Sequence, residues 1–249
     1  MTLDIEKSNA PLMWMERWLS GPRLRRYLDA CQGDFARAMG LYEWNLDLGA
    51  VLMKDIAYFE VALRNAYDRA MRERYGGDGH WLFDERSPVN RELLRKTRSG
   101  SVRDANALNR KAIKDAVAMR GRAASPDGVV AHLPFGFWAH LTDRAHERVL
   151  WIPYLQRVWP RGTNRAELDA QIRLINECRN RIAHHERLFQ PSKAELEPIA
   201  VDSIVIDLLY QLVPEGSWLL SDGETRVERF LRERCFRSDG QREQNSELR

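Results

Sequence analysis

The chain has 249 residues, 44% of them hydrophobic and 30% charged, enough for one globular domain or two small ones whose core needs no covalent staples. A formal net charge of +3 is too mild to name a partner, and three widely spaced cysteines, Cys31, Cys178 and Cys235, exclude a disulfide framework. The opening MTLDIEKSNAPLMW carries acids and no long apolar run, and no charge-free stretch approaches the length of a membrane span. The expectation is a cytoplasmic protein with no membrane partner.

Residues 1–10 are polar and read as a flexible tail. Pro11 opens PLMWMERWL, where Leu12, Met15, Trp18 and Leu19 recur as in a short amphipathic helix that Gly21-Pro22 ends. RLRRYLDAC follows as a second short helix with Arg23, Arg25 and Arg26 turned outward, and both helices read as lids on the core. From Asp34, an N-cap, to Tyr75 the pattern is helical almost throughout, with a break expected near Asn45–Gly49. Between Ile56 and Leu63 it is apolar nearly all round, which marks a central helix. Glu60 interrupts that run and needs a cation: Arg64, one turn on, or Arg179, which also sits on an apolar stripe. Gly76, Gly77 and Gly79 end the helix, Trp81, Leu82 and Phe83 pin the connection that follows, and His80 reads as a loop surface residue.

Residues 91–122 hold ten Lys and Arg against three acids. Two helices, around 90–99 and 104–120, would display this charge. The surplus suits a phosphate backbone, and the competing reading is a solvated face. AASPDG reads as a loop. LPFGFWAHLTDRAHERVLWIPYLQRVWP places Phe135, Trp138, Leu141, Val149, Ile152 and Leu155 at helical spacing and is read as core, with His140 and His146 as surface or capping groups. Pro160–Gly162 is a turn, and Thr163 or Asn164 caps the next helix. Beyond Gln190-Pro191-Ser192, helices are expected over 193–213 and about 222–236, then a polar tail. There is no sustained strand alternation, no glycine-rich phosphate loop and no internal repeat. The expected fold is all-α, a single domain over 11–236 with a basic helical insertion at about 90–122 and flexible tails at 1–10 and 237–249.

The stretch Glu177–Phe189, ECRNRIAHHERLF, concentrates the chemistry. Leu168, Ile172, Ile175, Cys178 and Ile182 recur at three- and four-residue steps, the stripe of an amphipathic helix. Arg179 lies close to that stripe, a costly place for a guanidinium without an anion. Asn180 and His184 share a face, so the amide oxygen can accept from one ring nitrogen and leave the other for acid–base work. Arg179 and His184 are five residues apart, roughly 140° around a helix and about 7.5 Å along it. Either the helix ends or bends near Ala183, or two copies complete one site across a two-fold axis. The plainer alternative is a charged surface helix with a Glu177–Arg181 pair and His184–His185 at its C-terminus. Zinc at that histidine pair is disfavoured, because adjacent histidines point apart and no His-Glu-x-x-His or Cys-x-x-Cys spacing occurs.

The Arg179-Asn180-x-x-x-His184 run resembles the signature of the HEPN superfamily. LYEWNLDLGAVLMKDIAYFEVALRN with its Glu60–Arg64 element, then LPFGFWAHLT, then CRNRIAHHERLF, in that order, resemble the Abi-like (AbiD/AbiF-type) abortive-infection proteins over about residues 12–215. The resemblance implies a HEPN-like helical bundle with extra peripheral helices, usually dimeric, acting in phage defence or a toxin-type system as a metal-independent endoribonuclease without cofactor. It assigns catalysis to Arg179, Asn180 and His184, with Glu60 and Arg64 in support; His185 beside them is counted as supporting too, and the charge surplus of residues 91–122 makes Arg95, Lys96, Arg103, Arg110, Lys111 and Lys114 the expected RNA contacts. His184 would take the proton of a ribose 2′-OH, Arg179 would stabilise charge on the phosphoryl oxygens, and the partner's His184 would protonate the leaving 5′-oxygen. Expected partners are an RNA substrate, a second copy with a composite active site, and an inhibitory RNA or antitoxin. Asn45 and Gly49 stand where family members more often carry an acid and an arginine. The alternative function is a HEPN-like module that holds RNA or a partner without cutting.

Overall fold

The computed structural model of the chain describes residues 13–97, 99–219, 223–234 and 236. The expected tails and Cys235 lie outside them. As the missing strand alternation implies, the fold is all-α, with one small hairpin among the described residues. Helices α1 (residues 13–19) and α2 (Gly21–Ala30) lead into α3 (Phe35–Arg74). A hairpin, β1 (Leu94–Lys96) and β2 (Val102–Asp104), precedes α4 (Ala107–Arg120) and the short helices α5 (Pro126–His132) and α6 (Phe135–His140). Helices α7 (Arg165–Ala183), α8 (Pro198–Leu212) and α9 (Arg226–Glu233) follow. No helix among the described residues is long and apolar enough to cross a membrane.

The axis of the fold is α3, 40 residues and about 60 Å long. Asp34 starts it, its carboxylate accepting from the Arg37 N–H at 3.0 Å, and it stops where Tyr75 turns extended ahead of Gly76. The break expected near Asn45–Gly49 is absent. Both residues are buried in an unbroken helix: the Asn45 amide finds its partners outside the helix, and Gly49 makes room for side chains packed onto it. Leu48, Leu52, Ile56, Phe59, Leu63, Tyr67 and Met71 are buried along α3, where α6, α7, α8 and α9 close over them. A second, smaller cluster gathers Met15, Leu24, Tyr27, Leu41 and Tyr42 beneath α1 and α2. Phe189 meets Tyr27 edge-on at 5.2 Å, joining that cluster to the chain just beyond α7.

The helix expected around 90–99 is instead half of the hairpin, with Leu94 opposite Asp104, Arg95 opposite Arg103 and Lys96 opposite Val102. The run RKTRSGSVR has no apolar stripe to hold a helix against the core. Gly100, at a φ of 84°, turns the chain, and the Asp104 carboxylate accepts from the Leu93 and Asn106 N–H groups at 2.8 and 2.9 Å. The loop expected at 123–128 already contains a helix start, Ser125 capping α5 with Pro126 in its first turn. Residues 135–159 are core at Phe135, Trp138, Leu141 and Leu155, as expected, but in several short turns, and Ile152 is exposed. Two surface assignments are corrected: His146 is fully buried, and His80 is half-buried with its ring 3.5 Å from Asp68.

Where α3, α8 and α9 meet, Asp55 and Asp202 are both buried, and Arg226 pairs with Asp55. Burial, followed by the neighbouring charge of Asp55, pushes the Asp202 carboxyl up to about 6. A carboxyl raised in the folded state favours folding when protonated. Its contribution is therefore complete below the unfolded value of about 4 and is lost as pH rises through about 6. Asp202→Asn keeps the shape without the charge. It should stabilise the chain near neutral pH by about 1–2 kcal/mol and flatten the dependence of urea-melt midpoints on pH between about 4 and 6. An unchanged slope would show that Asp202 ionises as freely in the fold as in the unfolded chain.

Candidate active site

Helix α7 carries the ECRNRIAHHERLF stretch. Of the two expected caps, Asn164 is the one used, its side-chain oxygen accepting from the Ala166 N–H at 2.9 Å. Leu168, Ile172, Ile175 and Cys178 are buried, as the stripe predicts. The helix ends at Ala183, the first of the two alternatives left open by the Arg179–His184 spacing. The His184 N–H donates to the Asn180 carbonyl at 2.9 Å, the His185 N–H to Ile182 at 2.9 Å, and the Glu186 N–H to Arg181 at 2.8 Å. With His185 left-handed at a φ of 54°, this is a Schellman stop whose glycine position is filled by histidine. His184 and His185 are both exposed at that end.

The stop is held from outside. Asn45 of α3 accepts from the Leu188 N–H at 2.6 Å and donates to the Glu186 carbonyl at 3.2 Å. A Cβ at Gly49 would lie 3.3 Å from Ile182 Cγ2 and 3.6 Å from Leu188 Cδ1, so an alanine there would push Ile182 back by a few tenths of an ångström. Arg23 of α2 donates to the His184 carbonyl at 3.2 Å. The Glu177–Arg181 pair of the plainer alternative is not made. Glu177 pairs with Lys193 at 3.3 Å, while Arg181 turns to Glu186 at 3.5 Å and to the Arg187 carbonyl.

Asn180 and His184 open on one cleft of about 480 Å³, lined also by Arg26, Glu177, Arg181, Glu186 and Arg187. The Asn180 side chain does not orient the His184 ring as expected: its oxygen takes a long 3.4 Å hydrogen bond from Arg179, and its link to His184 runs through the backbone. Arg179 is half-buried, and its Nε–H is buried without a hydrogen-bond partner. Burial pushes the Glu60 carboxyl up, against the pull of Arg179 and then of Arg64. The sequence left the Glu60 partner open between those two arginines. Both act on it electrostatically, but among the described residues neither makes a hydrogen bond or close ion pair with it, and Arg64 turns to the Ala131 carbonyl at 3.4 Å. His185 stands apart, in a separate apolar pocket of about 390 Å³ with Asn45, Gly49 and Ile182.

The basic segment divides. Arg95 is occupied with the Ala145 and Leu94 carbonyls, Arg110 with Asp104 and the Asn90 carbonyl, and Lys111 with Asp115 at 2.6 Å, while Lys114 is exposed on α4. Lys96 and Arg103 are exposed and, with Arg95, Arg144 and Arg148, line a groove of about 880 Å³ in which Glu147 is the acid. Arg144 and Arg148 were missed because their segment reads as core; the signal was the run DRAHER inside it. Glu147 lies 3.7 Å from Arg165 at the start of α7, whereas His184 is at its end, about 28 Å along the axis. Arg23 and Asn45 were missed as well. Asn45 alone left a trace, a polar residue on an otherwise apolar helix face.

Residues 18–190, from α1 to just beyond the α7 stop, match the model of the family described as Abi-like protein. No curated protein and no solved structure matches the chain.

Two substitutions test the stop. His185→Gly relieves the left-handed strain and should stabilise the chain by about 0.5–1 kcal/mol in thermal or urea melts. Asn45→Ala orphans the Leu188 N–H and the Glu186 carbonyl and should destabilise it by about 2 kcal/mol. A neutral Asn45→Ala would mean that the turn after α7 is held by something else.

Proposed function

The chain belongs to the Abi-like protein family, and on that premise we propose that it is a HEPN-type endoribonuclease of an abortive-infection or toxin-type system. The observation that carries the reading is the placing of His184: exposed at the end of α7, beside Asn180, in a cleft that also receives Arg26, Arg181 and Arg187. A phosphodiester drawn to those guanidinium groups lies within reach of the imidazole. His184 takes the proton of a ribose 2′-OH, the 2′-oxygen attacks the adjacent phosphorus, and the bond to the 5′-oxygen breaks. The products carry 2′,3′-cyclic phosphate and 5′-OH ends, and no step calls for a metal. Arg179 does not line the cleft, but its exposed Nη1 reaches Asn180 Oδ1 beside it, and that end of the guanidinium is the donor for charge developing on the phosphoryl oxygens. A second copy facing the cleft brings the partner's His184 to protonate the leaving oxygen. Lys96, Arg103, Arg144 and Arg148 hold backbone phosphates further along the strand. That groove also supports a second reading, a module that retains RNA without cutting it.

The deciding experiment incubates purified wild type and His184→Ala with end-labelled RNA and DNA in excess chelator. Wild type should leave cyclic-phosphate ends on RNA alone, and the variant should be slower by about 10²–10⁴-fold, the range for loss of a general base. Salt-sensitive retention without cleavage by either protein would favour the binding module. Equal cleavage by both, or cleavage of DNA, would remove the reading altogether. For the groove, Lys96→Ala and Arg103→Ala should each weaken RNA retention and lower the slope of log affinity against log salt by about 0.7, one single-strand phosphate contact apiece. Slopes equal to that of wild type would place the RNA elsewhere.

A further inference from the structure

At the end of α6 the chain turns so that one carboxylate meets two imidazoles. His140 closes the helix, and Asp143 caps the next turn by accepting the His146 N–H at 3.1 Å. The His-x-x-Asp-x-x-His spacing thereby folds both rings onto the same side chain. His140 Nδ1 lies 3.0 Å from one Asp143 oxygen and His146 Nδ1 2.7 Å from the other, and the three donor atoms are all within 4.8 Å of one another.

The far side of each ring decides what the near side offers. His146 Nε2 faces Asn106 Oδ1 at 2.9 Å. That amide cannot be turned round, because its Nδ2 donates to the Pro88 and Arg91 carbonyls at 2.7 and 2.8 Å. The Asn109 amide, 3.4 Å from the same ring nitrogen, gives a hydrogen to that Asn106 oxygen at 2.9 Å. His140 Nε2 faces the Ala105 carbonyl at 3.2 Å. Carbonyl oxygens only accept, so both Nε2 atoms carry hydrogen, and each Nδ1 faces a carboxylate oxygen that also only accepts, so that a proton or a metal ion has to lie between. Metal-binding histidines are held in this way, the second nitrogen donating to a carbonyl that fixes tautomer and ring plane.

We propose that His140, Asp143 and His146 form a zinc site in the wall of the basic groove. Two imidazole nitrogens and a carboxylate are the ligand set of zinc rather than of magnesium or calcium, which take oxygen. Three protein ligands leave the fourth position to an oxygen ligand. Charge fits as well: one divalent ion carries what two protons on the Nδ1–carboxylate lines would carry, so the arginines around the groove meet the same local field. His140 is the route in, its side chain 24% exposed, while His146 is sealed. Arg144 and Ala145, between two of the ligands, and Ala105, whose carbonyl faces His140, line the groove itself. The ion would sit near the start of α7 and His184 at its end, so the site takes no part in the proposed transesterification and stands or falls separately from it.

The test reads the metal, not cleavage. The full chain, stripped of metal by chelator and dialysis, is titrated with ZnCl₂ by calorimetry, and bound zinc is counted by elemental analysis. Wild type should bind one ion per chain. His140→Ala and Asp143→Asn, checked for folding by circular dichroism, should lose at least tenfold in affinity, and a His184→Ala/His185→Ala variant should bind as wild type does. No binding by folded wild type, or equal binding by the folded His140→Ala chain, would overturn the site; loss of binding only in the His184→Ala/His185→Ala variant would reduce it to an adventitious ion only, on the exposed histidine pair. Should neither ligand variant fold, Co²⁺ added to wild type decides. Intense visible absorption from a four-coordinate ion supports the site, and the faint spectrum of a six-coordinate one overturns it.

Discussion

A buried polar group has to find a partner, and along α3 that demand arises at four residues on three levels. Asn45 takes its partners from the turn after α7, Asp55 from Arg226 of α9, Tyr67 from Thr142 and Trp159, and Asp68 from Trp81 and Arg72. Apolar burial brings the other helices to α3 without choosing their level on it. The four polar groups do choose, because each is satisfied at one register only. A helix that could be packed at several heights is therefore packed at one: the turn after α7, helix α9 and the segments at Trp81, Thr142 and Trp159 are each placed by a group on α3.

The end of α7 shows what this placement allows. A glycine after the helix would be the cheapest stop; the chain has His185 there, in a conformation that favours glycine. Three long-range hydrogen bonds, from Arg23 and to and from Asn45, hold the turn in spite of that. The two neighbouring histidines are turned to different surroundings as a result, His184 to the arginine-lined cleft and His185 to an apolar pocket. Local strain is kept at the motif while the rigid helix behind it supplies the restraint.

Much of this was legible in the sequence where one period ruled. The stripe from Leu168 to Cys178, a cap at Thr163 or Asn164 and the central helix were readable because neighbouring residues determine them. The shared face of Asn180 and His184 followed from spacing alone. What was not legible depends on partners far away in the chain. Asn45 and Gly49 looked like helix breakers, since propensity does not see the turn at 186–188 that uses them. The stretch around 90–99 looked helical because its charges obscure any period; the hairpin is set instead by Gly100 and by the Asp104 carboxylate. His146 looked like surface because nothing local announces Asn106, forty residues earlier.

The grip of Asn45 on both sides of the turn at Glu186–Leu188 also divides the chain by its tolerance of length. One residue inserted into an α-helix rotates everything beyond it by about 100°. Between Arg165 and Ala183 such an insertion would have the buried stripe asking for one rotation and the clamped turn for another, leaving a bulge or a broken clamp. At the hairpin tip around Ser99–Gly100, whose hydrogen bonds among the described residues stay within 97–101, an added residue lengthens a loop and moves neither end of α7. Changes of length should therefore accumulate at the rim of the basic groove and stop at the helix that presents His184.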